Sequence, residues 1–395
     1  MLSNIHLSFL HLVRLGIGHS ESTNNSCCEK VDWDSIKALA DRQCLSAVLL
    51  DGLLQLPKGY LPPEEIVLQL IGRSVKYYEC KHNLYRKAIA ELAKFYNDHG
   101  FKMMVLKGYA CAIDWPKPEH RPTGDIDIWL FGQQAAADKE LDSWFKIHSS
   151  SSEIDSSHHH HTVFNWQGFT VENHYDFINV HARKSNVKLE KIFKELGDEC
   201  HIESANKTSI GIDAHCRTKN YALNSQKGMR IPWIEVNGER VYLPSANLHA
   251  LFLIRHMVAH FAADRINLRQ VLDWAFFVEK HGKEVDWKWL LEKLDEFGLR
   301  RFFDVINVIC VEDLNFSAEL FPYVHSEKSL KQRVLGDILE PEFNEEMPTW
   351  LFPRLLFRYR RWQANHWKQS ICYKETRLSV FCSGIWSHLL KPKSI

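Results

Sequence analysis

Apolar residues recur at spacings of three and four along roughly the first 98 residues, which places them on one face of an α-helix. Ile36 and Leu39 follow this spacing directly after acidic residues that are suited to cap a helix. A longer helix is predicted over residues 64–99, and Gly100 directly after it is a typical helix stop. We therefore predict a helical N-terminal region over residues 1–98.

The pattern changes at Phe101. The run FKMMVLKG is short, apolar and ends in glycine, and the predicted strand over residues 125–130 begins with the alternation Asp-Ile-Asp-Ile, as in a half-buried strand. Another strand is predicted over residues 170–180, and Asn237-Gly238 between two alternating segments predicts a β-hairpin. Strand, helix, loop and strand in this order indicate an α/β unit.

Helical spacing returns after Pro244 and continues to about residue 340. The expected fold class is α+β, with a small mixed β-sheet core flanked by N-terminal and C-terminal helical regions. After the N-terminal region, the predicted parts are an α/β core at 99–245, a helical domain at 246–345 and a basic aromatic helical tail at 346–395.

The composition is that of an ordinary globular protein, with 45% hydrophobic and 25% charged residues. The 49 basic residues balance the 49 acidic residues, so the overall charge predicts no polyanionic partner. The ten cysteines include no Cys-x-x-Cys pair, and no apolar stretch reaches the roughly 18 residues needed for a membrane span. We interpret the apolar N-terminus as a first helix, not a signal peptide, and expect a cytoplasmic protein with reduced thiols.

Asp125 and Asp127 are the residues with the clearest chemical meaning. Residues two apart on a strand point to the same face, so these carboxylates project together while Ile126 and Ile128 point into the packed side. Two carboxylates on one face form a hard oxygen site that suits Mg²⁺. An Asp-x-Asp pair alone also occurs on many exposed strands, and the surrounding glycines favour the metal site here.

Glycines lie before this pair at two places. Gly124 lets the backbone approach closely just before the strand. Gly108 follows Lys107 at a predicted strand-to-helix junction, where exposed N–H groups and the helix dipole favour a bound anion such as a triphosphate. Lys107 adds a positive charge to that contact. The sequence thus predicts a phosphate-binding turn and a metal pair that face one cleft.

The motifs Leu-Lys-Gly at 106–108 and Arg-Pro-Thr-Gly-Asp-Ile-Asp at 121–127 resemble those of the polymerase-β-type nucleotidyltransferase superfamily. Within it, the sequence is most similar to a bacterial family of uncharacterised nucleotidyltransferase-like proteins. The similarity extends to VENHYDFINVH, LPSANLHALFLIRHMVAHF and LRQVLDWAFF, and covers most of the chain from about 101 to 300. One departure is Tyr109, because many superfamily members have a phosphate-binding serine after the glycine.

The resemblance implies a third carboxylate on a neighbouring strand, which helps to activate the attacking hydroxyl. Glu172 is the first choice and Asp176 is the reserve, since a strand over 171–176 puts both on one face together with His174. The alternative is that these three residues form only a polar strand face.

The resemblance also implies metal-assisted nucleotidyl transfer. Asp125, Asp127 and Glu172 would hold two Mg²⁺ ions, with Mn²⁺ as an alternative, beside an NTP donor. The acceptor hydroxyl, carried by a sugar, a metabolite, a protein or a nucleic acid, would attack the α-phosphate and release pyrophosphate. Arg121 would neutralise the developing charge or, equally, pair with an acid of its own loop, Asp114 or Glu119.

Three further signals have alternative interpretations. The run of histidines at 158–161 indicates a solvated loop or, less simply, metal scavenging. His256 and His260 are one helical turn apart, which favours core or cleft histidines over a metal pair. The arginines and aromatic residues after Trp350 predict either a packed helix or a contact with an anionic membrane surface or nucleic acid. Rival functions are therefore a catalytically silent nucleotide-binding scaffold and a membrane-surface adaptor.

Overall fold

The computed structural model describes residues 2–20, 28, 31–148, 152–198, 231–322, 325–345 and 347–375. The helices, numbered in chain order, are α1 (Asn4–Gly16), α2 (Trp33–Arg42), α3 (Ser46–Leu53), α4 (Glu64–Gln69), α5 (Lys76–Asp98), α6 (Tyr109–Ala112), α7 (Gln134–Ile147), α8 (Lys184–Asp198), α9 (Ala246–Ala263), α10 (Leu268–His281), α11 (Trp287–Phe297), α12 (Arg300–Val308), α13 (Lys328–Leu339), α14 (Leu351–Ala364) and α15 (His366–Cys372). The strands are β1 (Met104–Val105), β2 (Ile126–Trp129), β3 (His161–Trp166), β4 (Phe169–His174), β5 (Trp233–Val236) and β6 (Glu239–Tyr242). These elements confirm the predicted α+β class, with helical regions on both sides of a sheet-forming segment.

The described chain forms two compact units. The first, which we call the helical unit, contains the described residues of 1–80, 114–122 and 253–374. The second, which we call the sheet unit, contains those of 81–113, 123–252 and 375–395. Each unit is built from several separate stretches of the chain. The two units therefore do not coincide with consecutive segments of the sequence.

The sheet has mixed strand directions. Within the described residues it contains six strands in the order β3-β4-β2-β1-β6-β5. β2 pairs in parallel with β4, and β1 pairs in parallel with β6, while the other neighbours are antiparallel. The parallel β2–β4 register places Asp127 opposite Glu172 and Trp129 opposite His174.

One face of this sheet forms a hydrophobic core. Ile126 and Ile128 of β2 are fully buried in one cluster with Val171 of β4, Leu92 of α5 and Leu141 of α7. This confirms that the two isoleucines point into the packed side. Because side chains alternate along a strand, the residues between them face away from this core.

The strand predicted over residues 170–180 is shorter in the structure. β4 ends at His174, where the chain bends, and the N–H of Asp176 donates to the His160 carbonyl at 3.0 Å. The Asp176 carboxylate forms an ion pair with Lys194 of α8. Asp176 has therefore left the strand, and its predicted place on the same strand face as Glu172 is wrong.

The histidine run at 158–161 is not the solvated loop that the sequence predicts. His159 and His161 are buried, with 4% and 6% of their surface exposed. His161 begins β3 and lies opposite His174 in the antiparallel β3–β4 pair. The reason is that β3 carries Phe164 into the hydrophobic core, and the strand brings the adjoining histidines in with it.

The hairpin predicted at Asn237-Gly238 is confirmed. These two residues join β5 to β6 and have φ angles of 50° and 89°. A two-residue turn of this kind needs positive φ at both positions, which asparagine and glycine adopt most readily. The turn therefore follows directly from local sequence.

Helices dominate the helical unit, as predicted for the N-terminal region and for residues after Pro244. α1 and α3 approach closely at two glycines. A Cβ atom on Gly16 would lie 2.2 Å from the Val48 carbonyl oxygen, and one on Gly52 would lie 2.1 Å from the Leu12 carbonyl oxygen. Only glycine permits this backbone contact.

The described part of the C-terminal stretch packs within the helical unit. Lys368 of α15 is fully buried, with Nζ 2.6 Å from Asp337 Oδ2, and it donates to the Asp264 carbonyl at 2.7 Å. The Arg333 guanidinium lies 4.0 Å from the centroid of the Trp367 ring. Arg377, which contributed to the predicted basic surface, lies outside the described residues. Among the described helices, none combines the length and the hydropathy required to cross a membrane.

Candidate active site

The candidate site lies on the sheet unit, where β2 and β4 run side by side. Asp127 is in the middle of β2, and its side chain is only 4% exposed. Glu172 is its direct partner on β4, with 23% of its side chain exposed. Parallel pairing thus places two carboxylates on the sheet face opposite the hydrophobic core.

Two basic side chains contact the buried carboxylate of Asp127. Lys107, just after β1, places Nζ 2.7 Å from Asp127 Oδ1. His174 of β4 places Nε2 3.4 Å from the same oxygen and 3.5 Å from Glu172 Oε2. Lys107 and His174 therefore balance the negative charge of Asp127 in the protein alone.

These contacts shift the protonation equilibria of the group. Burial opposes ionisation of Glu172, but the hydrogen bond from His174 and the charge of Lys107 outweigh it and hold the pKa of Glu172 well below its ordinary value. Burial similarly acts to lower the pKa of Lys107, yet the nearby Asp127 and Glu172 raise that pKa overall. The Glu172 carboxylate and the Lys107 ammonium are accordingly charged at neutral pH.

Asp125 lies at the edge of this group. It is exposed, directly precedes β2, and its carboxylate accepts a hydrogen bond from the Thr170 side chain. Partial burial, together with the charges of Glu172 and Asp127, raises the pKa of Asp125. Asp125 therefore lies close enough to both carboxylates for their charges to affect its ionisation.

One cluster of potential metal ligands here consists of Asp127, Glu172 and His174, whose donor atoms lie within 4.8 Å of one another. Asp125 belongs to neither of the two clusters of potential metal ligands in the described residues. His256 and His260, whose rings are 4.4 Å apart on α9, are also outside both clusters. The structure thus adds His174, which the sequence places on the right strand face, to the predicted carboxylates.

Gly108 lies at the predicted strand-to-helix junction, between β1 and the four-residue helix α6. Its φ of 62° and ψ of −98° suit only glycine. A Cβ atom there would lie 2.6 Å from the Tyr85 hydroxyl and 3.3 Å from the Asp125 carbonyl oxygen. The Tyr85 hydroxyl donates to that carbonyl at 2.8 Å, so the turn at Gly108 is fixed against the start of β2.

Of the two remaining predicted site residues, Gly124 lies next to the candidate site and Arg121 belongs to the helical unit. Gly124 adjoins Asp125, but a Cβ atom on it would meet no described atom within 4 Å, so no close backbone approach occurs there. Arg121 belongs to the helical unit, where it is buried and donates through Nε and Nη2 to Asp273 at 2.7 and 2.9 Å. Asp273 was not among the two acids that the sequence suggested as its partners.

A family model described as an uncharacterised nucleotidyltransferase matches residues 29–212 and 210–315. The match contains every residue of the candidate site and confirms the resemblance carried by the motifs at 106–108 and 121–127. No curated protein and no solved structure matches the chain.

Proposed function

Because the chain belongs to the family of uncharacterised nucleotidyltransferases, we propose that it transfers a nucleoside monophosphate from an NTP to an acceptor hydroxyl in a Mg²⁺-dependent reaction. The observation that carries this proposal is the pairing of Asp127 with Glu172 across β2 and β4. Two carboxylates from adjacent parallel strands lie side by side on one face of the sheet, and Asp125 directly precedes β2.

The residues present fit a hard divalent cation. Carboxylate oxygens are the ligands that Mg²⁺ prefers, and the low pKa of Glu172 keeps one of them ionised. We assign Asp125, Asp127 and Glu172 to hold the metal, with two ions as the expected number and Mn²⁺ as a substitute. When bound, the metal supplies positive charge that offsets the charge of the donor phosphates.

The basic residues have roles that follow from their contacts. Lys107 lies 2.7 Å from Asp127 and beside the Gly108 turn, so we assign it to balance the carboxylate in the free protein and to contact a donor phosphate in the complex. His174 lies between Asp127 and Glu172 and holds the two carboxylates in orientation. Glu172 is assigned to accept a hydrogen bond from the acceptor hydroxyl.

The test uses each of the four NTPs labelled at the α-phosphate, Mg²⁺ or Mn²⁺, and pools of sugars, metabolites, proteins and nucleic acids as acceptors. Asp125→Asn and Asp127→Asn are expected to lower label transfer and pyrophosphate release by at least about 100-fold. Glu235→Gln, at an exposed position of β5, is the matched control and should retain the wild-type rate. Equal rates for the wild type and both aspartate variants would remove the proposal.

A second candidate is nucleotide binding without turnover. The observation that favours it is the Lys107–Asp127 pair, because an ammonium beside the buried carboxylate competes with a metal ion for that position. Calorimetry separates the two functions: NTP binding together with no transfer to any acceptor pool supports the silent scaffold, whereas turnover that depends on Asp125 and Asp127 excludes it.

A further inference from the structure

A second cluster of potential metal ligands lies beside the candidate site and consists of His160, His161 and His174, which we call the histidine cluster. The donor atoms of its three side chains lie within 4.8 Å of one another. The ring centroids of His160 and His161 are 4.3 Å apart. The His160 centroid lies 5.5 Å from that of His174, and the His161 centroid lies 5.2 Å from it. His161 begins β3 and His160 directly precedes it, while β4 supplies the third imidazole through direct cross-strand pairing of His161 with His174.

Two of these imidazoles have a ring nitrogen that is buried and lacks a hydrogen-bond partner. Nδ1 of His160 and Nδ1 of His161 are both in this state within the described part of the protein. His161 is more than nine-tenths buried, and an unsatisfied polar atom at such a position costs free energy unless a ligand satisfies it. An imidazole nitrogen that carries no proton presents a lone pair to a metal ion.

We propose that His160, His161 and His174 form a binding site for a transition-metal ion of the Zn²⁺ class. Neutral imidazole is a preferred ligand of Zn²⁺ and similar ions, whereas Mg²⁺ prefers oxygen. In a tetrahedral zinc site the nitrogens are roughly 3.3 Å apart, as follows from Zn–N bonds of about 2.0–2.1 Å. The donor nitrogens of the three rings, which lie within 4.8 Å of one another, would have to close by at most about 1.5 Å to reach that geometry.

Glu172 is within reach as a fourth ligand. Its Oε1 lies 4.0 Å from His161 Nε2, and its Oε2 lies 3.5 Å from His174 Nε2. The histidine cluster therefore shares His174 and Glu172 with the candidate active site but differs from it in chemistry, since nitrogen donors predominate. The inference goes beyond the proposed function and does not depend on nucleotidyl transfer.

This site differs from scavenging by the run of four histidines. It uses His160 and His161 as ligands but not His158 or His159. His158 stacks on the His161 ring at 4.7 Å, and His159 contacts His181 at 5.2 Å. It also requires His174, which belongs to a different strand. Metal binding that depends on His174 therefore distinguishes the proposed site from binding by the histidine run alone.

The experiment titrates the full chain, freed of metal with a chelator, with Zn²⁺ in a calorimeter without nucleotide or acceptor. His161→Ala and His174→Ala are expected to weaken Zn²⁺ binding by at least about 100-fold, above the roughly 10–100-fold loss typical of a group that only supports a ligand. His158→Ala is the matched control and should bind as the wild type does. Co²⁺ in place of Zn²⁺ should give the absorption of a tetrahedral site in the wild type and lose it in His174→Ala.

Two further variants keep the test decisive. If His174→Ala does not fold by circular dichroism, His160→Ala, which changes a less buried residue, replaces it with the same expected loss. Asp125→Asn removes a residue outside the histidine cluster, so it should abolish nucleotidyl transfer and leave the Zn²⁺ affinity unchanged. Zn²⁺ affinity that is unaffected by His161→Ala and by the loss of His174 or His160, or that falls equally in His158→Ala, overturns the proposal.

Discussion

The ammonium of Lys107 lies 2.7 Å from Oδ1 of Asp127, although one residue follows β1 and the other lies within β2. The antiparallel pairing of these strands, with Val105 opposite Ile128, brings the two side chains together. In the absence of a metal ion, the lysine supplies the positive charge that a buried carboxylate requires. The same lysine was predicted from sequence to contact phosphate, and its position next to Gly108 is compatible with both contacts.

Lys107→Met separates these two contacts. Removing the ammonium should strengthen Mg²⁺ binding to the nucleotide-free protein by about tenfold, because a competing positive charge is gone. It should also raise the KM for the NTP by about tenfold, because a phosphate contact is lost. Calorimetry with Mg²⁺ and steady-state kinetics measure the two effects, and Lys139→Met on the exposed face of α7 is the control. Weaker Mg²⁺ binding in Lys107→Met would contradict the competition.

Gly108→Ala tests whether the turn before α6 depends on glycine. The substitution puts a Cβ atom 2.6 Å from the Tyr85 hydroxyl in a backbone conformation that other residues avoid. We expect a loss of about 2–3 kcal/mol in the free energy of unfolding, measured by urea denaturation. The double variant with Tyr85→Phe lacks the hydroxyl that the new Cβ atom would contact. It should regain only the part of the unfolding free energy lost to that contact, since the backbone strain remains.

Gly124→Ala provides the matched control for this experiment. A Cβ atom at that position meets no described atom within 4 Å, and its φ is not in the positive range. The free energy of unfolding should therefore change by no more than about 0.5 kcal/mol. Equal losses at Gly108 and Gly124 would show that the turn geometry is not the cause.

His281 at the end of α10 gives the helical unit a specific pH dependence. Its Nε2 lies 2.9 Å from Asp114 Oδ1, and its Nδ1 lies 3.6 Å from Glu284 Oε1. Burial acts to lower the pKa of His281, but the hydrogen bonds to Asp114 and Glu284 outweigh it and raise the pKa to about 10. Because this pKa is higher in the folded state than the ordinary 6.5, protonated His281 stabilises the folded protein. The stabilisation is complete below about pH 6.5 and is lost as the pH rises to about 10.

His281→Gln should accordingly flatten the decrease in unfolding free energy over that pH range. Denaturation of the wild type and the variant at several pH values between about 6.5 and 10 measures the difference. His148→Gln, which alters an exposed histidine at the end of α7, should leave the wild-type slope in place. A His281→Gln protein that retains the full pH dependence would show that the Asp114 contact does not hold the proton.

Lys368 and Asp337 form a fully buried ion pair in the helical unit. Lys368→Met alone leaves an unpaired buried carboxylate and should cost about 3–5 kcal/mol of unfolding free energy. The double variant with Asp337→Leu should recover most of that loss, because no unpaired charge remains. Urea denaturation of the single and double variants measures the coupling, and Lys94→Met, which breaks an exposed pair with Asp98, should change little. Additive losses in the double variant would contradict the pairing.

Several features of the fold and site follow from local sequence. The positive φ angles of Asn237 and Gly238 make the hairpin, and alternation over 125–128 turns Ile126 into the core and the aspartates away from it. The motif at 121–127, together with Leu-Lys-Gly, was sufficient to indicate the family. These properties depend on near neighbours in the chain, so a local pattern contains the information.

Other features depend on contacts between distant residues. The sequence offered both Glu172 and Asp176 as a third carboxylate, and only the end of β4 at His174 separates them. Arg121 lies in the same motif as the aspartates, yet its guanidinium pairs with Asp273 in the helical unit. The choice of partner for a charged side chain is made by burial and by long-range packing, which local alternation does not encode.

The sequence by itself determined the α+β class, the Asp-x-Asp strand, the glycine turn and the family. Tertiary structure decided which groups meet: Lys107 and His174 at Asp127, and the imidazoles of His160 and His161 beside His174. The physical reason is that helix and strand propensities act between residues a few positions apart. The neighbours of a buried charge or a metal-binding nitrogen are instead fixed by strand pairing, here the parallel register of β2 with β4 and the antiparallel register of β3 with β4.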